Sequence, residues 1–318
     1  IGITTDIEAT IKEEGEIVVS AKLFLDIVRR LPEEIVFIET DERMVTYIAC
    51  GKVNYQIVGM SSVEYPDLPS FEQTDRITLN AKILRDMIRQ TVYAVSENTA
   101  KPIYTGSLYE IEDGVFKIIA IDGYRMAIRS ENVDSESKNR FVVPGKTQHE
   151  VLKLLTDDEE NTEIIIGQRH ITFKIKNYRI ISRLIEGTFI EYKSAIPKET
   201  KTEVVINTRT IIDAVERMSL LNNDRIQSPV RCIFSDDEIK LSCTSAVGRA
   251  NDVISVPIIG ESVEIGFNNR YLLDALKNAD TDEIKLILNG SLTAMIVKPV
   301  KGDSYLSIVV PMRLANEN

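Results

Sequence analysis

Two rhythms of apolar residues alternate along the chain. In one, apolar side chains recur every three or four positions, as at Leu23, Ile27 and Leu31 or at Ile212, Val215 and Leu220. That spacing gives a helix a single apolar stripe, so one face packs and the other stays bare. In the other rhythm, short runs rich in β-branched and aromatic residues are broken by polar turns. Segments 34–60, 163–187 and 283–312 each hold three such runs, with breaks at Asp41-Glu42, Gly167-Gln168 and Asn289-Gly290. This is the pattern of an antiparallel meander. One helix followed by one meander predicts a two-layer α+β lobe, helices on one side and antiparallel sheets on the other.

The two rhythms recur as a unit. VVSAKLFLDIVRRL (18–31) returns as TLNAKILRDMIRQT (78–91), VVPGKTQHEVLKLL (142–155), VINTRTIIDAVERM (205–218) and IGFNNRYLLDALKN (265–278). In each copy a strand-like run meets a helix start, a base follows, and a carboxylate stands four residues later. The pairs are Lys22/Asp26, Lys82/Asp86, Lys146/Glu150, Arg209/Asp213 and Arg270/Asp274. Their bases are 60, 64, 63 and 61 residues apart, a period that marks a duplicated structural unit. Ser20, Asn80, Asn207 and Asn268 are the expected N-caps, Pro144-Gly145 opens the remaining copy, and helices of about twelve residues should follow. The copies pair as 82 with 146 and 209 with 270, leaving 22 single. Running the period backward places a sixth copy about forty residues before Ile1. The expectation is three tandem two-lobed domains, 1–72, 73–196 and 197–318, the first incomplete at its N-terminus.

Composition is that of a globular protein, 43% hydrophobic and 27% charged over 318 residues, with no apolar run long enough to span a bilayer as a helix. A net charge of −11 argues against a polyanionic partner until its distribution is considered. The helical segments 20–31, 80–92, 146–156, 208–222 and 269–279 carry twelve bases against six acids, so they sum to +6 and the remainder carries −17. A base stands in the first turn of every copy, where the helix macrodipole disfavours it, and its carboxylate follows in the weaker i,i+4 orientation. Helix stability does not select that placement. A cationic face turned toward phosphates would; inheritance from one duplicated helix is the competing explanation.

Candidates for chemistry are few. Cys50, Cys232 and Cys243 form no CxxC pair, and their odd number argues for a reducing compartment. His149 and His170 stand near no nucleophile motif. The acidic runs 156–161 and 235–238 fit solvated turns better than a metal site. No GxGxxG or Walker-type loop occurs, and the aromatic residues are scattered rather than set out as a base-stacking platform. No catalytic residue, cofactor or metal is expected.

At AIDGYRMAIRS (120–130) and IVVPMRL (308–314) the chain closely resembles the bacterial DNA polymerase III beta subunit family, the DNA sliding clamps. RRLPEE, VVPGK, SRLIEGTFIEY and IGFNNRYLLDAL extend the resemblance from end to end. It implies a non-catalytic accessory subunit of a DNA polymerase holoenzyme, a head-to-tail homodimeric ring of six domains whose helices line a hole for double-stranded DNA, held without sequence preference. It further implies a cytoplasmic protein without membrane attachment, opened by an ATP-dependent clamp loader. Such a ring tethers the replicative polymerase and repair proteins through short hydrophobic motifs.

Carried onto this chain, the resemblance implies a partner-peptide groove made by Tyr104, Ile121, Gly123, Tyr124, Arg125, Met126, Ile190, Ala195, Tyr271, Leu292, Ala294, Ile308, Val310, Pro311, Met312 and Arg313. The family usually carries Thr and His where Ile121 and Tyr124 stand here, and often Pro in place of Ile190. DNA-facing residues are expected at Lys22, Arg29, Lys82, Lys101 and Lys146, together with the helical bases Arg85 and Arg209. The implied dimer contact joins Leu220 and Leu221 to Leu23, Ile27, Tyr55 and Ile57 of another copy. Adjacent leucines cannot both face one core, which leaves one for a partner. The rival readings are an acidic protein-binding scaffold without DNA encirclement and a metal-dependent hydrolase built on the acidic loops.

Overall fold

Five helices form at the five repeats: α1 (Ala21–Val28), α2 (Ala81–Val92), α3 (Gly145–Leu154), α4 (Thr208–Ser219) and α5 (Asn269–Lys277). Each expected N-cap acts as one. Ser20 accepts from the Leu23 amide, Asn80 from those of Lys82 and Ile83, Asn207 from Thr210, and Asn268 from Arg270 and Tyr271. Pro144 starts α3 without a side-chain bond. With 8 residues, α1 is shorter than expected, because Pro32 lies just beyond and cannot continue a helix. The computed structural model describes residues 1–69, 75–156, 160–222 and 228–314. Part of the acidic run 156–161 and the expected boundary after residue 72 lie outside the described residues.

The described strands number twenty-one. They are β1 (Gly2–Thr5), β2 (Val36–Thr40), β3 (Val45–Cys50), β4 (Val53–Val58), β5 (Asp75–Asn80), β6 (Gly106–Glu112), β7 (Val115–Ile121), β8 (Arg125–Asn132), β9 (Asn139–Pro144) and β10 (Asn161–Ile166). After these come β11 (His170–Ile175), β12 (Tyr178–Arg183), β13 (Thr202–Asn207), β14 (Val230–Ser235), β15 (Glu238–Ser245) and β16 (Gly248–Ser255). The last are β17 (Ile258–Gly260), β18 (Val263–Phe267), β19 (Glu283–Leu288), β20 (Met295–Pro299) and β21 (Tyr305–Val309). All three expected meanders form, as β2–β4, β10–β12 and β19–β21.

Contacts divide the chain into two units. One, within residues 6–70, is α1 on the three-stranded sheet β2-β3-β4. Its small core is Ile27, Ile48 and Ile57, flanked by Val19, Phe24 and Leu31. The other contains Ile1–Thr5 and the described part of 71–318. Its backbone is a nine-stranded sheet in the order β17-β13-β19-β20-β21-β8-β7-β6-β9, beside the sheets β1-β12-β11-β10-β5 and β16-β15-β14-β18.

In this second unit α2 packs with α3 and α4 with α5, the pairing the repeat predicts. Side-chain alternation shows where they lie. Ala120, Ala127, Ser307, Val297, Leu286 and Val204 stand opposite one another in register across six neighbouring strands, so they share one face of the sheet. Ala94 at the end of α2 packs on Ala120 and Ala127, and α4 and α5 pack on Val204, Leu286 and Val297. The Gln148 amide of α3 donates to Ser107 Oγ and the Val143 carbonyl. All four helices therefore occupy the same face of the nine-stranded sheet.

Leu84 of α2 is fully buried, within the core shared by α2, α3 and two sheets. Leu84→Ala should lower unfolding free energy by about 3 kcal/mol through lost burial and the cavity left behind. Denaturant titration should show the lowered midpoint without change in slope.

Candidate functional site

The two sequence motifs singled out as characteristic, IDGYRM and IVVPMRL, meet edge to edge. β8 and β21 pair antiparallel with Met126 opposite Ile308 and Arg125 opposite Val309, and the pairing continues as the Val310 amide donates to the Tyr124 carbonyl at 2.9 Å. On the face away from the helices, Ile121, Met126, Ile308, Ile296 and Ile287 form an apolar stripe across five strands. Tyr104, Ile121, Met126, Ala294 and Ile308 belong to one apolar cluster on that face. Met126 and Ile308, 2% and 3% exposed, form its floor, while Tyr124, Ile190, Leu292 and Val310 stand out around it. Gly123, Ala195 and Arg313 are exposed, and Pro311 and Met312 are half-buried.

The turn before β8 is built around Asp122. Its Oδ1 accepts from the amides of Tyr124 (2.8 Å) and Arg125 (3.0 Å). Gly123 sits at φ +93°, a conformation suited to glycine. Arg125 corrects one expectation, for it lies beneath the groove rather than at its surface and is only 6% exposed. Its Nε donates to Asp122 Oδ2 at 3.0 Å and its Nη1 to Asp274. The guanidinium lies 4.6 Å from the Tyr271 ring centroid and 5.4 Å from that of Tyr93, within cation–π range. Tyr271 in turn stacks on Tyr124, centroids 5.7 Å apart.

Two phenols here are raised by burial. Burial pushes Tyr93 up to about 12, against the opposing pull of hydrogen bonds to Ser307 and Tyr305. Burial, seconded by the charge of Asp122, also raises Tyr271. Tyr93 Oη lies 2.9 Å from Ser307 Oγ and 3.0 Å from Tyr305 Oη. Gln90 Nε2 donates to the Asn278 carbonyl, and Arg89 pairs with Asp280 at 2.5 Å. The base of the groove is thus tied to both α2 and α5.

Residues 184–196 run over that face as a strap, with Ile185, Phe189, Tyr192 and Ile196 joining the apolar cluster and Ile190 and Ala195 exposed between them. Sequence reasoning passed over Phe189 and Tyr192, its two buried anchors; both lie in SRLIEGTFIEY, where nothing local separates an anchor from a rim residue. Cavities of about 490 Å³, at Glu34–Gly51, and about 410 Å³, between β9 and the strap, lie away from the rim residues. The groove is an open apolar surface.

The helix bases are largely released from their repeat partners. Arg209 pairs with Asp213 at 2.8 Å. Elsewhere the carboxylate turns to another base: Asp26 to Arg30, Asp86 to Arg85 and Arg89, Glu150 to Lys153, Asp274 to Arg125. Lys22, Arg29, Lys82, Lys101 and Lys146 are exposed and form no ion pair among the described residues.

At the expected dimer contact, Leu220 is 83% exposed while Leu221 packs against the α4–α5 core. Leu23 and Tyr55 are exposed, but Ile27 and Ile57 are buried in their own small core, which leaves them little surface for another chain. β4 and β16 are edge strands of their sheets.

Comparison with known proteins gives consistent matches. Residues 1–69, 78–191 and 193–313 match the N-terminal, central and C-terminal domains of the DNA polymerase III beta subunit. The beta sliding clamp of Halalkalibacterium halodurans is 34% identical over 310 residues, covering 95% of this chain and 82% of that protein. The crystal structure of the Bacillus subtilis DNA polymerase sliding clamp superposes with a TM-score of 0.93 at 32% identity, over 96% of this chain and 82% of that one. A Pseudomonas aeruginosa sliding clamp bound to griselimycin gives 0.90 at 26% identity, over 95% and 82%.

Arg125→Ala would leave Asp122, 9% exposed, and Asp274 without their cation. The expected cost is about 3 kcal/mol, with Arg125→Lys restoring little because one ammonium cannot reproduce the two-sided guanidinium contact. Chemical denaturation of the three proteins side by side checks both statements.

Proposed function

The chain belongs to the DNA polymerase III beta subunit family, and from that membership we propose how its surfaces divide the work of a clamp. The protein is a DNA sliding clamp, a non-catalytic processivity factor with the three-domain clamp fold. The observation that carries the division of labour is a segregation across one sheet. The helices α2–α5 occupy one face, with Lys82 and Lys146 exposed and in no ion pair among the described residues, and the apolar groove occupies the other.

The helix face meets duplex DNA through Lys82, Arg85, Lys146 and Arg209, and Lys22, Arg29 and Lys101 are further phosphate contacts. Such contacts go to phosphates and carry no sequence preference. Topological enclosure needs little affinity, so a weakly basic lining within a chain of net charge −11 is sufficient and permits sliding. The domains run 1–72, 73–196 and 197–318, and two copies close head to tail with Leu220 meeting Leu23 and Tyr55. The protein works in the cytoplasm.

The groove receives short partner segments with a hydrophobic end, from clamp loader, polymerase and repair proteins. Seating one Leu or Phe there is worth about 2–3 kcal/mol before ordering costs. Griselimycin, bound by the Pseudomonas aeruginosa clamp, should occupy the same surface.

Loaded onto nicked circular DNA by a clamp loader, the protein should co-elute with the circle and fall off after linearisation. Equal loss from both forms would favour the protein-binding scaffold. Changing Lys22, Lys82 and Lys146 together to Glu should reduce loading at least about tenfold at moderate salt while leaving the unfolding midpoint near wild type; normal loading would return these lysines to ordinary surface positions. Leu220→Asp, at a position 83% exposed in the single chain, should convert dimer to monomer in analytical ultracentrifugation, and an unchanged dimer would count against the contact.

A further inference from the structure

The strap at 184–196 has little structure of its own, only the 3-10 turn Tyr192–Ala195. Without a ladder of backbone bonds, its position depends on what it is fastened to. One tie is the Ile185 amide, which donates to the Val142 carbonyl at 2.9 Å. A second is Phe189, which meets Tyr104 edge-on with centroids 5.9 Å apart. The third is unlike either. Tyr192, 2% exposed, donates from its phenol to Glu110 Oε1 at 2.8 Å, and Glu110 is itself 6% exposed in the middle of β6. The other carboxylate oxygen lies 3.9 Å from Arg140 Nε, and Arg140 Nη1 is 4.0 Å from Glu191 on the strap.

A carboxylate on the apolar face of a sheet is costly. Removing it from water is unfavourable, and an apolar residue there would pack without that penalty. What a carboxylate adds is direction: it accepts a short, oriented, charge-assisted bond, whereas apolar contact leaves the strap free to slide. Glu110 projects from the same face as Leu108, which belongs to the groove cluster. Tyr192 packs in the same cluster as Met126 and Ile308, two residues from Ile190 and three from Ala195, the strap residues assigned to the groove under the proposed function. Burial, followed by the bond to Glu110, holds the Tyr192 phenol far above its ordinary value, so the donor keeps its proton across the working pH range.

We propose that Glu110 and Tyr192 are positioning residues of the partner groove, their buried hydrogen bond setting where the strap holds Ile190 and Ala195 against the floor of Met126 and Ile308. This rests on the reading of that surface as the partner groove. The residues touch no partner; they act through the strap.

The test uses the full chain, with two probes: griselimycin, and a fluorescent hexapeptide ending in two apolar residues. Tyr192→Phe and Glu110→Ala should each weaken both probes about tenfold, the size expected for one hydrogen bond to a charged group. The double variant should be no weaker than either single one, because one interaction is lost in all three. Glu110→Gln retains an accepting oxygen and should bind within about threefold of wild type. Retention on circular DNA should not change in any of them. Tyr192→Phe binding as wild type would overturn the proposal, and so would Glu110→Gln as weak as Glu110→Ala, which would assign the effect to charge toward Arg140. Val310→Asp, on the exposed rim, separates the two levels of inference. If it leaves both probes bound as in wild type, the groove assignment itself fails; if it abolishes binding while Tyr192→Phe does not, only the positioning role fails.

Discussion

The pairing of β8 with β21 is the contact on which the larger unit depends. It joins residues 125–129 to 305–309 and so makes one nine-stranded sheet from strands lying far apart in the chain. Because side chains alternate along each strand, this single register assigns every residue of the central strands to one of two faces at once. A slip of one residue would carry Met126 and Ile308 to the helix side and Arg125 and Ser307 to the groove. Apolar burial on one face and the Tyr93–Ser307–Tyr305 hydrogen bonds on the other both hold it in place.

Charge follows the same geometry. The repeat supplies each helix with a base and a carboxylate at i,i+4, yet four of the five carboxylates are held by other bases. An exposed pair of that spacing contributes only about 0.3–0.5 kcal/mol, so a closer or more buried cation readily takes the acid. Asp274 shows it best. Arg125, buried with its guanidinium over two tyrosine rings, pairs with Asp274, and Arg270 pairs instead with Glu97 at 3.5 Å. The repeated element thus serves the groove at α5, while Lys22, Lys82 and Lys146 stay exposed and in no ion pair among the described residues.

Local signals were legible in the sequence, and nonlocal ones were not. Asn80, Asn207 and Asn268 announce their helices because a cap is decided within three residues, and the meanders show in their turns for the same reason. The argument from adjacent leucines also needs only helical geometry, and the structure separates exposed Leu220 from packed Leu221. Periodicity carries no trace of Met126 facing Ile308 or of Asp274 reaching Arg125, since each joins segments well over a hundred residues apart; only the resemblance put the two motifs in one groove. Even it counted Arg125, buried beneath, among the residues making the groove and offered Ile27 and Ile57 to a partner. A sequence marks a residue as charged or apolar without saying which neighbour satisfies it.

The groove's construction suits a surface that must bind in turn. Its floor is buried by the sheet, and its rim of Tyr124, Ile190, Leu292 and Val310 is exposed. An open apolar patch captures one or two side chains without closing over them, which keeps affinity moderate and release fast. Such a surface gains selectivity from shape more than from area, and shape here is set from outside the contact. Arg125 holds Tyr271 and thereby Tyr124 on one side, and the Glu110–Tyr192 bond holds the strap on the other. Both supports are buried ion or hydrogen-bond clusters, the kind of contact whose energetic return is small and whose geometric return is large.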